Sequence, residues 1–142
     1  MTGRIFGHVY VLSNCTDTDF TVKLCDVYPD GRSMLIADGI LRMRYREGRD
    51  QEVFMDESGS TVYEAYIDLW STSYVFNAGH RIHVSISSSN YPRFDVNPNT
   101  GEKVEPFITG DDFYYANNSL VISPDYPSSI VFPIPIDAPN FI

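Results

Sequence analysis

Short runs in which apolar and polar residues alternate with period two recur along this chain with turn residues between them, and no stretch carries a helical period of useful length. That pattern restricts the fold to an all-β domain. "FTVKLCDV" sets Phe20, Val22 and Leu24 against Thr21, Lys23 and Cys25, and "TVYEAYIDL" turns Ala65, Ile67 and Leu69 inward with Glu64 and Asp68 outward. "GHVYVLSN" is an almost continuous apolar strand. "YPDGR" supplies a turn, because Pro29 presets its dihedral and Gly31 is free to take a positive φ. "SMLIADGILRMRYR" reads as a long strand interrupted at Asp38-Gly39, which predicts a bulge or kink where the chain changes sheets. "FYYANNSLVIS" and "SSIVFPIPI" complete the set, the last with Ile130, Phe132 and Ile134 on one side and prolines on the other, as an edge strand permits. Seven or so strands without helices predict a two-sheet sandwich.

A chain of 142 residues fits one domain, and residues 1–142 are read as a single one. Ten basic residues against 19 acidic ones leave a net charge of -9, a field that repels nucleic-acid phosphates and anionic lipid. Neither nucleic acid nor membrane is expected as a partner. No segment has the unbroken apolar length of a membrane span, and "MTGRIFGHVY" lacks the charged and then apolar regions of a signal peptide. Cys15 and Cys25 flank what reads as a hairpin turning at "CTDT", a geometry that separates them too far for a disulfide. Free thiols and a cytoplasmic location are therefore expected.

Sites of chemistry are sparse. The G-x-S-x-G turn of a serine hydrolase is absent, and the serines of "SISSSN" and "ESGST" lack its flanking small residues. His80 and His83 stand three apart on a strand, on opposite faces, so they cannot chelate one metal. Asp95, Asn97 and Asn99 have calcium-loop spacing, but Thr100 and Pro106 occupy the places that need Gly and a bidentate Glu. No catalytic, cofactor-binding or metal-ligating residue is assigned. Arg42, Arg44 and Arg46 alternate with Leu41, Met43 and Tyr45, placing three guanidinium groups on one strand face: a docking face or, more simply, a solvated one. Trp70, Tyr74 and Phe76 fall just beyond a strand end, as core plugs by preference or as a contact patch. The polar run from Asn90 to Gly101, which follows the strand "HRIHVSIS", can be held compact by Asx-type bonds and by Arg93.

In order, "DVYPDGR", "ADGILRMRYR" and the series "IDLW", "AGHRI", "SSSNYPRFD" and "NTG" resemble the C-terminal β-sandwich of a hydrolase family. That family comprises the X-Pro dipeptidyl-peptidases, bacterial cocaine esterases, α-amino-acid ester hydrolases and glutaryl acylases. Ser71 departs from the proline common after the Trp, and "SNCTDTDF" from the usual "SSDAPDTDF". The resemblance implies a jelly-roll β-sandwich of the galactose-binding-like type, following an α/β-hydrolase domain that carries a Ser-His-Asp triad and a helical cap. No residue of that triad maps here, so the chain alone is expected to be inactive and to support a catalytic partner. The resemblance begins inside the jelly roll, which implies absent leading strands, an unpaired sheet edge, and dimerisation through it or marginal stability. The candidate interdomain contacts are Arg42, Arg44, Arg46, Trp70, Tyr74, Asn90, Arg93 and Asp95. The loop holding the last three is read equally as an internal clasp or an interdomain contact. The alternative reading is a stand-alone carbohydrate- or ligand-binding module using Tyr63, Tyr66, Tyr74 and Tyr91.

Overall fold

The structure, a computed structural model, describes residues 1–103 and 113–134. In chain order the elements are β1 (Thr2–Leu12), β2 (Asp19–Val27), β3 (Ser33–Arg42), one turn of 3-10 helix (Met43–Tyr45), β4 (Tyr63–Ser73), β5 (Arg81–Ser87), β6 (Ser119–Val121) and β7 (Ser129–Val131). They form two antiparallel sheets, and the fold is a β-sandwich. In the first, β1 has β4 on one edge and shares its other edge between β6, opposite Tyr10 to Leu12, and β7, opposite Phe6 to His8. In the second, β2 is central between β3 and β5.

The expected alternation decides which faces meet. Ile5, Val9 and Val11 of β1 and Ala65, Ile67 and Leu69 of β4 are buried against Phe20, Val22 and Leu24 of β2. Each fully buried Val, Leu or Ile side chain contributes about 1.5–3 kcal/mol relative to exposure, so this double row is the main apolar term holding the sheets together. Gly31, at φ 91°, closes the "YPDGR" turn, with its N–H donating to the Tyr28 carbonyl at 2.9 Å.

Four local expectations are corrected. β1 and β2 do not form a hairpin: they lie in different sheets, and residues 13–18 carry the chain across, with Ser13, Asp17 and Thr18 buried at the corner. Nor does the chain change sheets at Asp38-Gly39. β3 stays beside β2 from Arg42 to Ser33, and its irregularity falls at Ile36, between the pairs Leu24–Ala37 and Cys25–Leu35. Gly39 serves a different purpose, for a Cβ there would overlap the Asp68 carbonyl oxygen of β4. The absence of a side chain lets the β3 edge of one sheet close against the β4 edge of the other. The segments near the C-terminus contract to three-residue strands, and Ile134 is 80% exposed while Ile130 and Phe132 pack on the core. Finally, β4 runs on to Ser73, so Trp70 lies inside it and not beyond its end.

Candidate docking surface

The loop after β5 is tied down through the carboxylates of other elements. Asn90 Nδ2 and Arg93 Nε both reach Asp38 Oδ2 at 2.8 Å, and Asp38 is buried. Further along, Asn97 Nδ2 donates to Asp17 Oδ2 at 2.8 Å and Asp19 Oδ1 at 2.7 Å, while the Asn99 N–H closes an Asx turn on Asn97 Oδ1. The loop is thus clasped from within by Asp38, Asp17 and Asp19. Asp95 is exposed and has no hydrogen bond or ion pair among the described residues.

The three arginines do not share a strand face, because the chain leaves the extended conformation after Arg42 and turns through the 3-10 helix. Arg42 grips Asp19 with two parallel bonds of 2.9 and 3.0 Å, which together with the surrounding carboxylates raise its pKa. Arg44 is buried, bound through Nε to Asp17 and through Nη2 to the Glu102 carbonyl, so it is no surface contact. Arg46 donates to the Met43 carbonyl and lies 4.8 Å above the Tyr63 ring. The signal that sequence reading missed is the pair Asp17 and Asp19 in "DTDF", whose spacing matches that of Arg44 and Arg42 across the antiparallel register.

Arg42 and Arg46 nevertheless line one side of a cleft of about 610 Å³, with Tyr45, Glu47 and Arg49 beside them and Tyr66 and Asp68 of β4 opposite. A smaller crevice of about 240 Å³ continues from Arg42 and Tyr45 to Phe94 and Asp95. Asp68 accepts from Arg4 Nε at 3.1 Å, and that arginine holds its carboxyl below the usual carboxylate range. Next along the outer face, the Tyr66 ring stacks on His8 at 4.4 Å, and Glu64 Oε1 takes both His8 Nε2 and the Tyr66 hydroxyl.

Trp70 stands at the edge of this surface. Arg4 pairs with Ser71 and Phe6 with Asp68, so Leu69 and Trp70 together face Ile5 alone in a β-bulge. Its φ is 66°, its N–H donates to Asp68 Oδ1 at 2.9 Å, and it is 66% exposed. The core-plug expectation is overturned for Trp70 and holds for Phe76, which packs on the core. Tyr74 lies elsewhere. Its hydroxyl donates to Asp26 Oδ2 at 2.8 Å beside His80 Nδ1, and that bond pushes the phenol up to about 12. His80 thus turns inward onto a buried carboxylate while His83 is exposed. Cys15 and Cys25 are both free, and burial raises the Cys15 thiol.

Of the eight candidate contacts, the fold brings Arg42, Arg46, Asp95 and Trp70 to one side of the sandwich. It places Arg44 inside, Asn90 and Arg93 in the clasp, and Tyr74 at a buried carboxylate. The four tyrosines of the alternative reading are not assembled: Tyr63 bonds Asp56 beneath Arg46, Tyr66 stacks on His8, Tyr74 binds Asp26, and only Tyr91 stands free at 71% exposure.

The class of protein follows: an all-β, two-sheet sandwich whose buried carboxylates are bonded by side chains of the same domain and whose largest aromatic side chain faces outward. The chain belongs to the family of X-Pro dipeptidyl-peptidase C-terminal non-catalytic domains, whose model matches residues 1–131. It is 45% identical over 139 residues to the cocaine esterase of Rhodococcus sp. (strain MB1 Bresler), covering 94% of this chain and 23% of that protein. Among solved structures, an aminopeptidase from the marine sediment archaeon Thaumarchaeota archaeon superposes with a TM-score of 0.81 at 28% identity, over 91% of this chain and 22% of its own. An α-amino acid ester hydrolase superposes with a TM-score of 0.77 at 28% identity, over 90% and 22%. The chain therefore spans less than a quarter of the length of each of these relatives.

Proposed function

We propose that this domain supports the catalytic domain of an α/β-type serine hydrolase acting on short peptides, esters or amides, and carries no reacting group itself. The observation that carries the reading is the 45% identity to a segment that makes up only 23% of the cocaine esterase, within a family described as non-catalytic. The physical support is that the buried carboxylates Asp17, Asp19, Asp26 and Asp38 are already bonded to other side chains of the domain. The Asp17–Arg44 and Asp26–His80 pairs are buried inside the sandwich, and so hold shape where a substrate cannot reach them.

The test is a chimera in which this chain replaces the matched segment of the Rhodococcus cocaine esterase. Ester hydrolysis is expected from the chimera, and neither hydrolysis nor labelling by a fluorophosphonate probe from the isolated chain. Labelling of the isolated chain would overturn the reading.

Two finer points belong to the same proposal. The outer edge of β5 and the Ser33 end of β3, away from the contact with β4, have no strand partner among the described residues, and Met34, Leu35 and Ile82 are exposed there, which supports self-association through strand addition. A mass by light scattering that stays that of a monomer at high concentration would reject it. Two free thiols support a reducing, cytoplasmic setting, which compartment fractionation of the native protein would test.

A further inference from the structure

Trp70 is the single tryptophan of the chain, and three separate features present it to a partner. A β-bulge places it opposite Ile5 with Leu69, its backbone takes the left-handed conformation that disfavours a bulky side chain, and the indole is 66% exposed. A residue held in that conformation with its side chain in solvent gains little within the isolated domain. Such strain persists where the surrounding structure fixes it and is a mark of functional sites. An exposed tryptophan is also among the side chains most often found at the energetic centre of an interface.

The neighbouring cleft adds charge. Arg42, Arg46 and Arg49 line it with Glu47 and Asp68, although the Arg46 side chain is only 8% exposed. Arg42 is engaged by Asp19, Arg46 by Glu47 and Asp68 by Arg4, whereas Arg49 has no ion pair among the described residues.

Resting on the reading above, we propose that Trp70 and this cleft form the surface on which the catalytic portion of the longer protein docks. That portion receives the indole in an apolar pocket and sets a carboxylate against Arg49. In the cocaine esterase the matched segment is only 23% of the protein, so most of that relative's chain lies outside it. A second copy of this chain is a poorer occupant, because two chains that each carry a net charge of -9 repel one another.

Hydroxyl-radical footprinting of the isolated chain and of the active chimera tests the surface directly. Oxidation of Trp70 should fall by about tenfold in the chimera, as water is excluded from an anchor, while Tyr91, on the clasped loop, is oxidised alike in both. The Trp70→Gly variant supplies an independent measurement. In the isolated chain it should raise the thermal midpoint by about 2 °C by relieving the left-handed backbone, and in the chimera it should lower it. Equal oxidation of Trp70 in an active chimera overturns the surface while leaving the supporting role intact. Protection that appears in the isolated chain only as its concentration rises assigns the face to self-association and overturns the proposal too. So does a lower midpoint for Trp70→Gly in the isolated chain, whether or not the chimera accumulates. Fluorophosphonate labelling of the isolated chain would instead fail the functional reading itself.

Discussion

Arg44 and Asp17 meet at 2.9 Å with side chains 4% and 0% exposed, joining the turn after β3 to the crossover between the two sheets. Asp17 also accepts the Arg44 backbone N–H and Asn97 Nδ2, so one carboxylate fixes the crossover, the 3-10 turn and the loop after β5. A buried pair need not stabilise more than apolar residues would, but removing one partner leaves an uncompensated charge.

Arg44→Met should therefore destabilise the domain by about 3–5 kcal/mol. The double variant Asp17→Leu/Arg44→Met should be less destabilised than the single one. Urea unfolding midpoints compare them, and equal losses would show that Arg44 acts through packing and not through its charge.

The seam between the sheets depends on Gly39. A Cβ there would overlap the Asp68 carbonyl oxygen and stand 2.8 Å from its carbon, both backbone atoms that cannot swing aside. Gly39→Ala should cost about 3 kcal/mol, at the upper end of small-to-large changes. A thermal midpoint within 1 °C of the parent would mean that β3 and β4 separate freely.

The clasp predicts an asymmetry between neighbours. Arg93 and Asn90 converge on Asp38, whereas Asp95 is exposed. Asn90→Ala should cost about 1 kcal/mol, as for a typical hydrogen bond, and Arg93→Ala less, since that side chain is more than half exposed. Both should speed limited proteolysis between residues 88 and 103, and Asp95→Ala should not. Faster cleavage of the Asp95 variant would relocate the clasp.

Tyr74 gives a dependence on alkaline pH. Its hydroxyl donates to Asp26, and the folded phenol is pushed up to about 12 from an ordinary value near 10. Folding therefore favours the protonated phenol. The stabilisation is fully present below about pH 10 and is lost as pH rises through about 12. Thermal midpoints of the parent should fall more steeply across that window than those of Tyr74→Phe. Parallel curves would remove the Tyr74–Asp26 bond from the account.

Much of the fold was legible in the sequence because strand alternation is a local property. Phe20, Val22 and Leu24, and Ala65, Ile67 and Leu69, needed only period two to be assigned to the core, and "YPDGR" needed only the turn preferences of Pro29 and Gly31. Ile134 failed the same rule because β7 ends at Val131.

What the tertiary structure alone decided were relationships between residues far apart in the chain. The sequence by itself determined an all-β sandwich, its inward faces and, through its motifs, its family. It did not determine that β1 and β2 part into different sheets, that Arg44 turns inward while Arg42 and Arg46 line a cleft, or that Trp70 faces solvent. Each of those outcomes depends on a partner elsewhere: Asp17 is 27 residues from Arg44, and Asp38 is 52 from Asn90. Alternation specifies a face from neighbours two residues apart, whereas an ion pair or a bulge is selected only when register brings its two halves together.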